Sequence, residues 1–363
     1  MNKWKRKRGL LILFFCIVVL FGCSRTKIID KVSIIHLFGF DEASNGELVG
    51  TALYPEYTKN KSGDKVSYLE EQAPASNLVV SKMSSYTSMP LEIAKMRVIL
   101  FGKDFAKAGI GDTVERLIMT PQIGTNTHIV VTTQSARETL KTFEKEKTFT
   151  LAERIQQNMQ GQMLPKMNLH IFLNHFYGEG MDAYVPILGI EKDKIKVEGL
   201  GVFKDDQLKL QLNPEQSVLF KFLKDRETEA TYKVNFDEQE NKRDVMVFRS
   251  FRSNKKWGWD QKNQELHCDL KLEVALFQYP NQFDVENPKD LEEMRKIVTQ
   301  KIKTGLEDLI TNFQENGVDP IGIGNIVRSK DKSFEAESFY KKYPDLPIHI
   351  NVNLEIIHSG LEG

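Results

Sequence analysis

The residue with the most distinctive chemistry in this chain is Cys23, and its surroundings say what its thiol is for. A basic cluster (Lys3, Lys5, Arg6, Lys7, Arg8) precedes an apolar run from Leu10 to Phe21. Gly22-Cys23 follows, and no acidic residue occurs before Asp30. This is the layout of an export signal, a positive n-region ahead of a short apolar h-region. About twelve apolar residues at a 1.5 Å rise cover some 18 Å, against roughly 30 Å of hydrocarbon, so cleavage is expected rather than a permanent span. Leu20-Phe21-Gly22-Cys23 resembles a bacterial lipobox, in which the thiol receives a diacylglycerol and cleavage leaves the cysteine as residue one. Phe21 is bulkier than the residue usual at its position. Two acyl chains anchor stably where one is marginal, because each buried methylene contributes about 0.8 kcal/mol. The competing reading is an ordinary secretory signal in which Cys23 falls by chance.

The other reactive residue types read as structure. Cys268 falls between Leu266 and Leu270 on the apolar side of an alternating run, the place of a small buried hydrophobe. With Cys16 and Cys23 in or at the signal, it has no disulfide partner, and a thiolate metal site is excluded. His170 and His175 are five apart, which matches neither a helix face nor a strand face, so a shared metal is not expected. No HExxH, GxSxG or SxxK stands in its required context. Gly322-Ile323-Gly324 is a lone GxG that follows a helix, and reads as a shaped turn rather than a dinucleotide fingerprint. The charge run Lys141–Lys147 reads as a solvated helix face. Trp257-Gly258-Trp259, among Lys255, Lys256 and Asp260, reads as an exposed polar loop whose indoles are candidates for an interface; the alternative is a hairpin tip folded onto the core. No acid, base and nucleophile converge, so the chain is not expected to be an enzyme, and no cofactor or metal is expected beyond the diacylglycerol on Cys23.

Composition narrows the partners. The chain carries 50 basic and 50 acidic residues, and five of the bases lie in the signal. The mature surface is therefore mildly acidic, which disfavours nucleic acid. About 340 mature residues are enough for two or three compact units.

The elements that must carry these residues follow from periodicity. Residues 32–40 and 47–57 read as a hairpin across Ser44-Asn45-Gly46, and 59–75 as a loop or the root of an irregular hairpin. Strands at 96–102 and 127–132 alternate with helices from Ser76, at 103–108 and at 112–119, the last with Asp112 as its cap. Ser135 to Glu138 reads as a capping box opening a helix, another helix spans 151–160, and 168–177 is open between helix and strand. Strands at 183–187, 194–203 and 207–212 lead to a helix capped by Asn213 with Pro214 in its first turn. The run 266–274 alternates apolar and polar without a slip, 290–314 is a long amphipathic helix, 333–342 a short one and 347–356 a second alternating strand. The predicted fold is α+β, with mixed sheets and helices packed on one face. The expected divisions are 1–22 signal peptide, 23–30 lipidated tether, 31–190 an N-terminal α/β region, and 191–363 a C-terminal α+β region.

Several stretches together resemble the Ger(x)C (GerAC-type) family, the lipoprotein C subunits of nutrient germinant receptors in endospore-forming bacteria. They are the lipobox, residues 95–102 (KMRVILFG) with 105–110 (FAKAGI), 197–206 (VEGLGVFKDD), 317–324 (GVDPIGIG) and 347–352 (PIHINV). The segment after Tyr340 lacks a tryptophan expected there. The resemblance implies a three-domain architecture of unusual topology and a non-catalytic subunit required for nutrient-triggered spore germination. It further implies anchorage through Cys23 on the outer face of the spore inner membrane, beside integral-membrane A and B subunits. The alternative is a solute-binding lipoprotein of a transporter, which should show two similar α/β lobes around a ligand cleft. The sequence does not name the nutrient or the contact surfaces.

Overall fold

The computed structural model describes Trp4 and residues 32–56, 65–146, 149–226, 229–235 and 245–359. Apart from Trp4, the signal, the tether and Cys23 lie outside the described residues. The folded chain begins with a two-residue strand, β1 (Ser33–Ile34), parallel to β5 (Leu91–Glu92). A mixed eight-stranded sheet follows, in the order β10-β9-β8-β7-β6-β2-β3-β4. Its centre is parallel: β2 (Leu37–Glu42), β6 (Val98–Phe101), β7 (His128–Thr132) and β8 (Tyr184–Glu191). These strands read as continuous buried runs, as strands covered on both faces must. Antiparallel strands flank them, β3 (Leu48–Glu56) and β4 (Lys65–Ala73) on one side, β9 (Lys194–Lys204) and β10 (Gln207–Leu212) on the other.

Helices cover both faces of this sheet. On one, Gly39 leaves room for Ala136 and Leu140 of α4 (Ala136–Lys145); on the other, Gly50 leaves room for Val79 of α1 (Ser76–Ser84). Two short helices, α2 (Lys103–Ala108) and α3 (Gly111–Ile118), join β6 to β7. Ile110, not Asp112, stands at the N-cap of α3, because the helix starts two residues earlier than the capping signal suggested. Helices α5 (Leu151–Gly161) and α6 (Leu169–Phe176) lead into β8, so the ambiguous run 168–177 is helical, with the Asn168 side chain accepting from the Ile171 N–H. Residues 65–73, read as loop or irregular hairpin, form the nine-residue edge strand β4. Five of its nine residues are polar, Val66 and Ala73 are buried, and pairing with β3 along its whole length holds the strand.

The second sheet is four-stranded, in the order β11-β12-β13-β14, with β11 (Ala230–Asn235), β12 (Val245–Asp260), β13 (Glu265–Gln278) and β14 (Ile348–Ser359). β13 and β14 are parallel and the other pairs antiparallel. Leu266, Cys268, Leu270 and Leu272 point inward while His267, Asp269 and Lys271 face solvent, as the alternation predicts. One face of this sheet is covered by the 28-residue α8 (Pro288–Glu315), through Met294, Val298, Ile302, Leu306, Leu309 and Phe313. The short helices α9 (Ile323–Arg328) and α10 (Ala336–Lys342) complete the unit.

Helix α7 (Pro214–Lys224) connects the two sheets. It opens with a full capping box between Asn213 and Gln216 and has Pro214 in its first turn. Every residue from Ser217 to Leu223 is buried, the signature of a helix enclosed on all sides rather than lying on a surface. Gly305 of α8 admits it closely: a Cβ there would stand 2.8 Å from Leu219 Cδ1. A row of edge-on rings, Tyr184 to Phe220 at 4.9 Å and Phe220 to Phe313 at 5.9 Å, runs from β8 through α7 to α8. The fold is α+β with mixed sheets. The division expected between residues 190 and 191 falls at the end of β8, in a hairpin with β9 whose strands share one sheet.

Candidate functional site

A buried cluster of polar groups lies at the junction of the fold's two halves. After α8, the turn Val318-Asp319-Pro320-Ile321-Gly322 folds back over residues 180–184, which lead into β8. Asp319 is fully buried. Its Oδ1 accepts the N–H groups of Gly322 and Ile323, and its Oδ2 that of Gly324, all at 2.8 Å; the Tyr340 hydroxyl donates to Oδ2 at 3.1 Å. The carboxylate thus satisfies N–H groups that a short helix would otherwise leave orphaned. Two backbone links tie this turn to the first half: Asp182 N–H to Asp319 O at 2.9 Å, and Asn325 N–H to Gly180 O at 3.1 Å. The Asp319 N–H also donates to Asp182 Oδ2 at 2.6 Å. Lys204 pairs with Asp182 at 3.3 Å and lies over the Tyr340 ring at 5.0 Å.

Glycines make the approach possible. Gly322, with φ 85°, adopts the left-handed turn, and a Cβ on Gly324 would stand 2.4 Å from Tyr340 Oη and 3.1 Å from Gly180 Cα. Gly324→Ala is therefore expected to lower stability by about 1–3 kcal/mol through overpacking, read as a lower denaturant midpoint.

The electrostatics follow from burial. It pushes the Asp319 carboxyl up to about 7, against three backbone donors that pull it down. Lys221, 1 % exposed, donates to the carbonyls of Met159, Gln162 and Glu229 at 2.9, 3.0 and 3.1 Å, so one ammonium joins the end of α5 to the start of β11. Burial draws it down to about 8, which still leaves it protonated at neutral pH. Lys224 donates to Ile321 O at 3.2 Å and lies over the Tyr184 ring.

His175 packs against the other side of this group, 5.4 Å from the Tyr184 ring. Burial, helped by Lys224, draws its pKa down to about 4 from an ordinary 6.5. The folded state therefore binds fewer protons than the unfolded state between those values. The stability His175 contributes is full above pH 6.5 and is lost as pH falls towards 4. In His175→Phe, stability should fall less between pH 7 and 5 than in the parent; an unchanged slope would show that His175 is not held neutral.

The residues singled out in the sequence are placed as follows. Gly322 caps α9, so the GxG is a turn between helices. His170 is exposed and meets Asn174, while His175 turns inward. Cys268 is buried opposite Trp257, and burial pushes its thiol up to about 12. Trp257 and Trp259 are not on a loop. They lie in β12, paired with Cys268 and Leu266, half-buried on the core side; the turn comes only after Asp260. Trp259 borders a groove of about 660 Å³ with Phe334, Phe339, Lys341 and Lys342. A second cavity, about 670 Å³, opens at the carboxyl ends of β2, β6 and β7. Its Asp41 accepts the N–H groups of Ala136 and Arg137 at 2.8 Å, and its Glu70 pairs with Arg137. Among the described residues no cluster of three or more His, Cys, Asp and Glu side chains is placed to hold a metal ion. The junction residues Asp182, Lys204, Asp319 and Tyr340 were not singled out in the sequence. The signal available was an aspartate set alone in an apolar, glycine-rich run.

Comparison with known proteins gives two adjoining matches. Residues 25–190 match the model of the spore germination protein N-terminal domain, and residues 198–360 that of the spore germination B3/GerAC-like C-terminal domain. The spore germination protein GerQC of Bacillus cereus is 24% identical over 358 residues, covering 98% of this chain and 99% of the relative. The putative spore germination protein YfkR of Bacillus subtilis is 21% identical over 298 residues, covering 77% and 76%. The crystal structure of the GerBC protein superposes with a TM-score of 0.57 at 13% identity, covering 88% of this chain and 96% of that one.

Proposed function

Because the chain belongs to the GerAC-type family of spore germination proteins, we propose that it is the membrane-anchored, non-catalytic C subunit of a nutrient germinant receptor. Diacylglycerol on Cys23 holds it on the outer face of the spore inner membrane. There it assembles with the integral-membrane A and B subunits and couples them during nutrient-triggered germination. The observation that carries this reading is the order of parts along one chain: a lipobox-like stretch ending at Cys23, then both family domains in sequence. The junction at Asp319 supports it physically, since it ties residues 180–184 to 319–325, and a coupling subunit must transmit displacement between its halves. Tethering raises the effective concentration of partners towards the millimolar range without any strong single contact. The half-buried indoles of Trp257 and Trp259, the latter bordering the aromatic groove at Phe334 and Phe339, are the surface assigned to a partner subunit.

Isolation of the tagged chain from spore membranes in mild detergent tests the assembly. Stoichiometric recovery of two integral-membrane proteins is expected, reduced in a Trp257→Ala/Trp259→Ala chain. Recovery of the chain alone would contradict the reading.

A further inference from the structure

Large apolar side chains are exposed at the end of α3 and between α1 and β5. Met119 is 71 % exposed, Tyr86 69 %, Ile118 44 % and Met89 38 %. Between α1 and the end of α3 runs a groove of about 400 Å³, lined by Phe38, Phe40, Val80, Ile93, Leu117 and Met119. Phe38 and Phe40 belong to the sheet core and form its floor, so the groove is an opening in the apolar interior.

The entry of the chain fixes where this face lies relative to the anchor. The Ser33 N–H donates to Pro90 O at 2.9 Å, directly beside Met89. Ile93, on the groove wall, is three residues further on, at most about 11 Å along the chain. Cys23 precedes Ser33 by ten residues, which reach no more than about 36 Å even fully extended. The connecting residues carry Arg25, Lys27 and Lys31 against one acid, Asp30, a balance that draws the segment to anionic headgroups. Arg116 lines the groove, and Lys95 is exposed next to Met96 on its wall. Apolar side chains flanked by Arg116 and Lys95 and held within a short reach of a lipid anchor form a surface that enters the headgroup region rather than remaining in water.

From these observations we propose that the face formed by Met89, Met119 and the groove between α1 and α3 docks directly on the bilayer. The anchor is then one of two lipid contacts, and the bilayer contact sets the orientation of the subunit on the membrane. This inference rests on acylation of Cys23.

The test uses the full, acylated chain in vesicles of phosphatidylethanolamine and phosphatidylglycerol, with a nitroxide attached through Met89→Cys or Met119→Cys. Cys268 is buried and does not compete for the label. A control label goes on Asn351→Cys, on the open face of the four-stranded sheet. Vesicle binding should raise the ratio of oxygen to nickel-chelate collision rates several-fold at 89 and 119, and leave it unchanged at 351. A chain that floats with the vesicles while 89 and 119 stay as water-accessible as 351 overturns the docking and leaves the anchor standing. Shielding of 89 and 119 from both reagents would mean that a second copy of the chain occupies the face, and also overturns the proposal. A chain that does not float overturns the anchor and the docking together.

Discussion

Asp319→Ala is expected to cost about 3–5 kcal/mol of stability, more than any other single change outside the apolar core. The side chain accepts four hydrogen bonds inside a fully buried turn, three of them from backbone N–H groups, of which that of Gly322 also reaches the Asp319 carbonyl at 3.2 Å. An unpaired buried donor costs about 1–3 kcal/mol, and donors that share one acceptor do not add independently, so the total falls below the simple sum. Removing Asp319 also frees Tyr340, whose ring carries Lys204 and thereby the Lys204–Asp182 pair. The loss therefore reaches both halves. Asp319→Asn keeps one carbonyl oxygen for the N–H groups of Gly322 and Ile323 but turns a donor towards Gly324, and should fall between Ala and the parent. Denaturant midpoints of the three proteins measure this. A loss below 1 kcal/mol for Ala would mean that the turn is held by the chain around it and not by the carboxylate.

Cys23→Ala is expected to release the chain from the membrane almost completely. Each buried methylene contributes about 0.8 kcal/mol, so removing a diacylglycerol removes more binding free energy than any surface patch supplies. No helix among the described residues is long and apolar enough to cross a membrane. Fractionation of spores carrying Cys23→Ala should find the chain in the soluble fraction, or lost during spore formation. Full retention in the membrane fraction would show that the signal at Leu20-Phe21-Gly22 is not read as a lipobox.

The sequence made legible those parts of the fold whose cause is local. The alternation at 266–274, the stripe from Met294 to Phe313 and the cap at Asn213 each depend on neighbours a few residues away, and each is present as read. The edge strand β4 was hidden because its sequence is polar and its strand character comes from pairing with β3. The tryptophans were misplaced on a loop for a related reason. Lys255, Trp257 and Trp259 alternate with Asn254, Lys256 and Gly258, a two-residue period masked because Lys255 and Lys256 are polar on both faces and Gly258 between the indoles has no side chain. The junction was beyond local reading altogether, since Asp182 and Asp319 meet across 137 residues. Only the isolation of Asp319 among apolar residues and glycines hinted at a buried role. Trp257 and Trp259 stood out in the sequence, whereas the groove that Trp259 shares with α10 did not.

The most direct measurement is the rate of nutrient-triggered germination in spores that lack only this chain and its paralogues, complemented by the parent or by Cys23→Ala. The proposed role predicts that nutrient response is lost in the deletion, restored by the parent and not restored by Cys23→Ala. A normal nutrient response in the deletion would contradict it.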